Sequence, residues 1–221
     1  LNPDCVIIWG YATSAIETLE GLGIPVLAYY PGSISDVMWT IHSIGNATGK
    51  RTAAQDMVNG MQQIIDNIAN AIQNLTEDEK PKVYFELKSG KSVGPGTLTN
   101  ELIEMAGGIN IYRNATTKYP QPSSEFIIDE NPDIIVIEDQ SQKTNSDIAN
   151  QEGWDKITAV KMGNIFRING QLLTSSPRIV EGLTTFVGWF HPGAQSTITV
   201  TDWRGENVTL PRYPQRIVSL G

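Results

Sequence analysis

ENPDIIVIED, residues 130–139, is a Pro-Asp lead into four consecutive branched aliphatic residues, closed by two acids. A short run that is apolar at every position, rather than at alternate ones, reads as a strand buried on both faces, as in a parallel sheet covered by helices. The same lead opens the chain as LNPDCVIIWG, residues 1–10, so two Asn-Pro-Asp strands start 129 positions apart. Because both copies stand at the same point of an α/β alternation, the echo predicts two similar lobes.

Outward from the first copy, apolar runs at 5–8 and 25–29 flank a helical stretch at 14–22, which is a βαβ unit. Residues 34–75 are helical in pattern, with a break near 45–49. Their second part, 52–75, sets Met57, Met61, Ile64, Ile65, Ile68 and Ile72 at helical spacing. At 1.5 Å per residue it is a rod of roughly 36 Å. After the polar break at 76–80 a second set begins: strand 82–87, a Gly-rich loop, helix 99–106 closed by Gly107-Gly108, and short strand 110–112. A short helix at 124–129, strand 133–138, a helix around 147–151, strand 164–168 and a long helix at 177–190 follow. Residues 197–201 and 207–210 alternate around Asp202-Trp203-Arg204-Gly205, a hairpin signal, and a last strand is expected at 216–220.

Composition narrows the classes of function. The 221 residues are 40% hydrophobic and carry a net charge of −8. No basic run exists to neutralise phosphates, which argues against nucleic acid as a partner. No stretch approaches the length of a spanning helix, so a targeting segment is expected to have been removed or to lie upstream of Leu1. The single cysteine, Cys5, lies in an apolar run and reads as a small buried hydrophobe. Sequons begin at Asn46, Asn74, Asn114 and Asn207, compatible with export.

The tail TDWRGENVTLPRYPQRIVSLG, 201–221, resembles the segment with which mature ferric-siderophore and cobalamin binding proteins begin, a hairpin with Asp-x-x-Gly and then Pro-x-Arg-Ile-Val-Ser-Leu. The rest resembles later parts of that family in their normal order. LNPDCVIIWG, 1–10, is similar to the end of the first lobe, and IGNATGKRTAAQDMVNGMQQIIDNI, 44–68, to the linking helix. ELIEMAGGINIY, 101–112, and SSEFIIDENPDIIVIE, 123–138, resemble the second lobe, while AVKMGNIFRINGQLLTSSPRIVEGLTTFVGWFHP, 159–192, resembles its closing strand and helix. The stretch that separates RIVSLG from LNPD in the family is absent. The expectation is a piece of a protein with two such domains in tandem, with circular permutation as the alternative.

The resemblance implies a class III periplasmic binding protein: two parallel-sheet Rossmann-like lobes joined by a long helix, the first lobe incomplete in this chain. The expected organisation is the last part of a first lobe at 1–33, a linking helical segment at 34–76, a second lobe at 77–192, and at 193–221 the hairpin and first strand of a further first lobe. The implied function is extracytoplasmic capture of an iron chelate (ferric siderophore or haem) or a corrinoid, and its delivery to the permease of an ABC importer. No catalysis and no cofactor are expected, and the location is periplasmic or cell-surface, membrane-anchored in the full-length protein. Because the family's first strand lies beside its third, residues 217–219 are expected to pair in parallel with 5–8, within the chain or as a strand-swapped homodimer. Two alternatives stand beside this reading: a doubly wound enzyme with a phosphate or nucleotide ligand, and a surface-layer or adhesion module that kept only the fold.

In parallel α/β sheets ligands meet the loops after the carboxyl ends of strands. Trp9, Tyr11, Tyr29 and Tyr30 stand there, as flat amphipathic contacts for a large chelate or as packing under their own loops. Lys91 and Ser92 lie in the loop 88–97 ahead of a helix, which is either an anion-holding turn or a plain loop, and Asn169 follows a later strand. Glu125 stands seven residues before Pro132, where the resemblance implies a glutamate that docks on the permease; the alternative, compatible with docking, is a capped helix start with Ser123 or Ser124 as N-cap and Glu125 favouring the helix dipole. His42 and His191 have no companion ligands, so no protein-held metal is expected.

Overall fold

The computed structural model describes residues 3–192 and two backbone strands at 197–201 and 207–211. The chain divides into two units, Leu1–Asn59 and Gly60–Gly221. Helix α3, Arg51–Ile72, crosses from one into the other, so two parallel-sheet units are joined by one long helix.

In the first unit β1 (Val6–Trp9), α1 (Thr13–Gly21) and β2 (Val26–Tyr29) form the expected βαβ unit, with β1 and β2 parallel and Val6 beside Val26. Helix α2, Ile34–Ala47, starts in a reciprocal cap. Ser33 Oγ accepts the Asp36 N–H at 3.0 Å, and the Asp36 carboxylate accepts the N–H groups of Gly32 and Ser33. The break ahead of α3 follows from two glycines. Gly49 takes φ +71°, and a Cβ on Gly45 would collide with that of Ala54, so α2 and α3 cross where only glycine fits. On α3 the buried residues Ala54, Met61 and Ile68 recur every seven positions, whereas Met57, counted in the apolar stripe from sequence, is half-exposed.

Two expectations fail in this unit. Cys5 is exposed rather than buried, and Ile7 and Trp9 of β1 are 50% and 48% exposed. The reason is that β1 is an outer strand among the described residues, with β2 its single neighbour there, and so lacks the two-sided cover that a central strand receives. Its expected partner, residues 217–219, falls outside the described residues. The hairpin strands β7 (Thr197–Thr201) and β8 (Asn207–Pro211) do pair antiparallel, with Thr199 beside Thr209.

The second unit is built on four parallel strands in the order β4 (Ile109–Asn110), β3 (Lys82–Glu86), β5 (Ile134–Glu138), β6 (Ile165–Ile168). All five residues of β5 are buried, as its continuous apolar run requires. One face packs Tyr84, Ile135 and Ile137 against Ile127 of α5 (Ser124–Glu130), Ile148 of α6 (Asn145–Ala149), Trp154, and Ala159 of α7 (Thr158–Met162). On the other, Phe85 meets Phe186 of α8, Ile179–Phe190, at a ring separation of 6.4 Å. Each such large side chain stabilises the fold by about 1.5–3 kcal/mol relative to exposure. Helix α4, Leu98–Met105, closes the layer, and His191 at the end of α8 lies 3.0 Å from the Ala106 carbonyl through Nε2.

The Asn-Pro-Asp lead has a structural task here. Asn131 ends α5 at φ 48°, and its Oδ1 accepts the Thr158 N–H at 2.8 Å at the start of α7. Asp133 Oδ2 accepts the Lys82 N–H at 2.9 Å. Helix α7 and the 3-10 turns Glu77–Glu79, Trp154–Lys156 and Gly170–Leu173 are too short to leave a period in the sequence. Among the described residues no helix is long and apolar enough to cross a membrane.

Candidate functional site

In the first unit the pairing of β1 and β2 runs one step past the strands, where the Gly10 N–H donates to the Tyr29 carbonyl at 2.8 Å. That step turns the chain so that Trp9, Tyr11 and Tyr30 gather at the carboxyl end. The Tyr30 ring lies 4.3 Å from Tyr11 and 5.8 Å from Trp9, the latter edge-on. All three are exposed, Tyr11 by 67%, and so form an aromatic surface with polar tips. Tyr29 does not join them. As the last residue of β2 it is buried against Trp39 of α2 at 5.9 Å, and its hydroxyl has no hydrogen-bond partner among the described residues. Trp39, 64% exposed, was not singled out by the sequence because it sits inside a helix and not after a strand.

In the second unit the loop at 88–97 is not an open anion cradle. The Lys88 N–H donates to Glu138 Oε2 (2.8 Å), Gly90 to the Leu87 carbonyl (2.8 Å), Ser92 to that of Pro120 (3.0 Å) and Gly94 to that of Lys118 (2.8 Å). Those four amides are spent on the protein and cannot hold a phosphate, which weakens the support for a nucleotide enzyme. Ser92 is fully buried and donates its hydroxyl to the Phe85 carbonyl at 2.7 Å, so its expected ligand contact is corrected to an internal brace. Lys91 remains exposed beside it. Asn169, also exposed, uses Oδ1 to accept the Gln171 N–H at 2.9 Å.

Charged groups crowd the carboxyl ends of β3, β5 and β6. Glu86, 2% exposed, pairs through Oε1 with Lys143 Nζ at 2.7 Å and accepts the Tyr84 hydroxyl on Oε2 at 3.0 Å. Burial, and then the neighbouring Glu86 charge, push the Tyr84 phenol well above the ordinary tyrosine range. The Arg167 guanidinium donates to the carbonyls of Lys143, Asp139 and Ser141. The sequence carried no signal for this cluster, since its members are far apart in the chain. Among the described residues no three His, Cys, Asp or Glu side chains are placed to hold a metal ion.

Glu125 is exposed in the first turn of α5, beside Ser123, whose Oγ accepts the Phe126 N–H at 3.4 Å. Ser123 is thus the N-cap, and Glu125 is the acid of the first turn, as the capped-helix reading expects.

The sequence profile of the periplasmic binding proteins matches residues 1–172. The chain belongs to the periplasmic binding protein family. Within the family it is 31% identical over 200 residues to a cobalamin-binding protein of Halobacterium salinarum, covering 86% of this chain and 54% of that one. It is 29% identical over 201 residues to the ABC transporter substrate-binding lipoprotein YvrC of Bacillus subtilis, uncharacterised, covering 87% of this chain and 63% of the relative. The chain thus spans between half and two thirds of the length of these relatives. A possible iron-binding, periplasmic solute-binding protein from Staphylococcus epidermidis superposes with a TM-score of 0.72 at 26% identity, covering 86% and 76% of the two chains. The periplasmic haem-binding protein BhuT superposes at 0.76 with 18% identity, covering 87% and 76%, a likeness of fold. The two-lobe α/β architecture expected from the resemblance is that of the family.

Proposed function

We propose that this chain is part of an extracytoplasmic solute-binding protein that captures a corrinoid or ferric chelate and delivers it to an ABC importer, without catalysing a reaction. The observation that carries this reading is the exposed Trp9–Tyr30–Tyr11 group at the carboxyl ends of two parallel strands, in a member of this family. Three rings held against one another offer a large, stiff, apolar surface with hydroxyl and indole donors at its rim, suited to a broad ligand that also needs hydrogen bonds. The internally bonded loop at 88–97 disfavours a phosphate ester, and a 31% identical relative named as cobalamin-binding favours a tetrapyrrole-like ligand. Glu125 is the proposed contact to the permease, as an exposed acid with no partner among the described residues that an arginine on a membrane subunit matches in charge. Titration calorimetry of the intact protein with cyanocobalamin, haemin and a ferric siderophore tests the reading. Stoichiometric binding of one of them is expected. Binding of none, with a nucleotide bound instead, overturns it.

A further inference from the structure

We infer that Arg167 is a positioning residue, which with Lys143 and buried Glu86 prefolds the loop 139–144 at the carboxyl end of β5 into a wall for the ligand. The inference rests on the proposed binding function. Those six residues, Asp-Gln-Ser-Gln-Lys-Thr, contain no helix or strand and follow directly on β5. Left free, they would lose on the order of 1–2 kcal/mol of backbone entropy per residue when a ligand ordered them.

The structure orders them in advance. Carbonyls of alternate residues 139, 141 and 143 turn to one point, an arrangement in which like dipoles repel unless a cation stands between them. Arg167 stands there, with Nη1 2.8 Å from the Lys143 oxygen and Nη2 3.0 Å from those of Asp139 and Ser141. A planar fork with several fixed donors serves three separate oxygens; a lysine ammonium of similar reach lacks that geometry.

A second link pulls the loop onto the sheet. Lys143 Nζ reaches Glu86 Oε1 at 2.7 Å, and the other oxygen of that buried carboxylate is held by Tyr84. Asp139 Oδ1 accepts the Gly170 N–H at 3.2 Å, and Lys88 Nζ donates to Gln140 Oε1 at 2.8 Å. The loops after β3, β5 and β6 are thereby tied into one body. Lys143 and Lys88, already engaged, serve the wall and not the ligand. A surface stiffened before binding loses less freedom on binding, which raises affinity without any new contact.

The test uses Arg167→Lys and Arg167→Met in the intact protein, with two measurements. Amide hydrogen exchange without ligand is expected to speed up about tenfold or more at 139–144 in both variants, while β5 stays protected. Affinity for whichever of cyanocobalamin, haemin or the ferric siderophore the parent protein binds is expected to fall about tenfold, in the lysine variant as well. Unchanged exchange in Arg167→Lys shows that the fork does not hold the loop and overturns the inference. Faster exchange with unchanged affinity shows that the loop is no part of the ligand surface, and overturns it as well. Should the parent protein bind none of the three, the proposed function fails and takes the ligand wall with it, whereas the exchange result still decides the clamp.

Discussion

Asp133 and Lys82 stand 51 positions apart, and a reciprocal pair of hydrogen bonds, from the Lys82 N–H to Asp133 Oδ2 at 2.9 Å and from the Asp133 N–H to the Lys82 carbonyl at 2.9 Å, sets them at the base of adjacent strands. The two bonds come just before the first paired residues of β3 and β5, Val83 and Ile134, and together mark where the pairing begins. Lys82 Nζ also meets Glu130, through its carbonyl at 3.0 Å and its carboxylate at 3.2 Å. Asp133→Ala leaves a partly buried N–H without an acceptor and is expected to lower stability by about 1–3 kcal/mol. Asp133→Asn, which keeps an acceptor oxygen, should lose less. Urea unfolding with an unchanged m-value checks both, and equal losses in the two variants would count against the bond.

Tyr84 predicts how the fold responds to alkali. Its folded-state pKa is raised above the ordinary 10.0, first by burial and then by the Glu86 charge. Below about pH 10 both states keep the phenolic proton and stability does not change on its account. Above that pH the unfolded chain releases the proton and the folded chain keeps it, so stability falls by about 1.4 kcal/mol per pH unit. Tyr112, raised by burial, acts in the same direction. Tyr84→Phe is expected to flatten the fall between about pH 10 and pH 11. Unfolding free energies across that range give the slope directly, and an unchanged slope in the variant rejects the assignment.

The two adjacent tyrosines should separate affinity from stability. Tyr30 touches both Trp9 and Tyr11, so Tyr30→Ala is expected to weaken ligand binding by about tenfold or more with little effect on folding. The Tyr29 hydroxyl is buried without a partner among the described residues, so Tyr29→Phe should leave affinity unchanged and hold or raise the melting temperature. Calorimetric titration and thermal unfolding of the pair decide it. A Tyr29→Phe protein that binds poorly would place that hydroxyl on the ligand.

Glu125→Arg reverses an exposed charge on the first turn of α5, which precedes β5, whereas the carboxyl-end loops follow their strands. Uptake into cells or vesicles carrying the importer is expected to drop severalfold or more, with ligand affinity intact. The helix should lose a few tenths of a kcal/mol, about what an acid near a helix N-terminus contributes. Equal losses of affinity and uptake would remove Glu125 from the permease interface.

The elements were legible in sequence because their signals are local. The run at 134–137 has one reading as a buried strand, the glycine-flanked stretch at 45–49 marks the break between two helices, and Ser33 with Asp36 caps one without outside help. The Asn-Pro-Asp echo pointed to two lobes through the same kind of short-range pattern. What each side chain faces was decided in three dimensions. Tyr29 and Tyr30 look alike in sequence, yet one is buried against Trp39 and the other lies exposed in contact with Trp9 and Tyr11, because the strand ends between them. Ser92 and Lys91 are neighbours in a loop that reads as an anion site, until the carbonyls of Lys118 and Pro120 take up its amides. Glu86, Lys143 and Arg167 meet only because parallel strands bring the ends of distant segments to one edge. Local periodicity follows from backbone geometry and is written in consecutive residues, whereas burial and charge pairing depend on which segments the sheet places side by side.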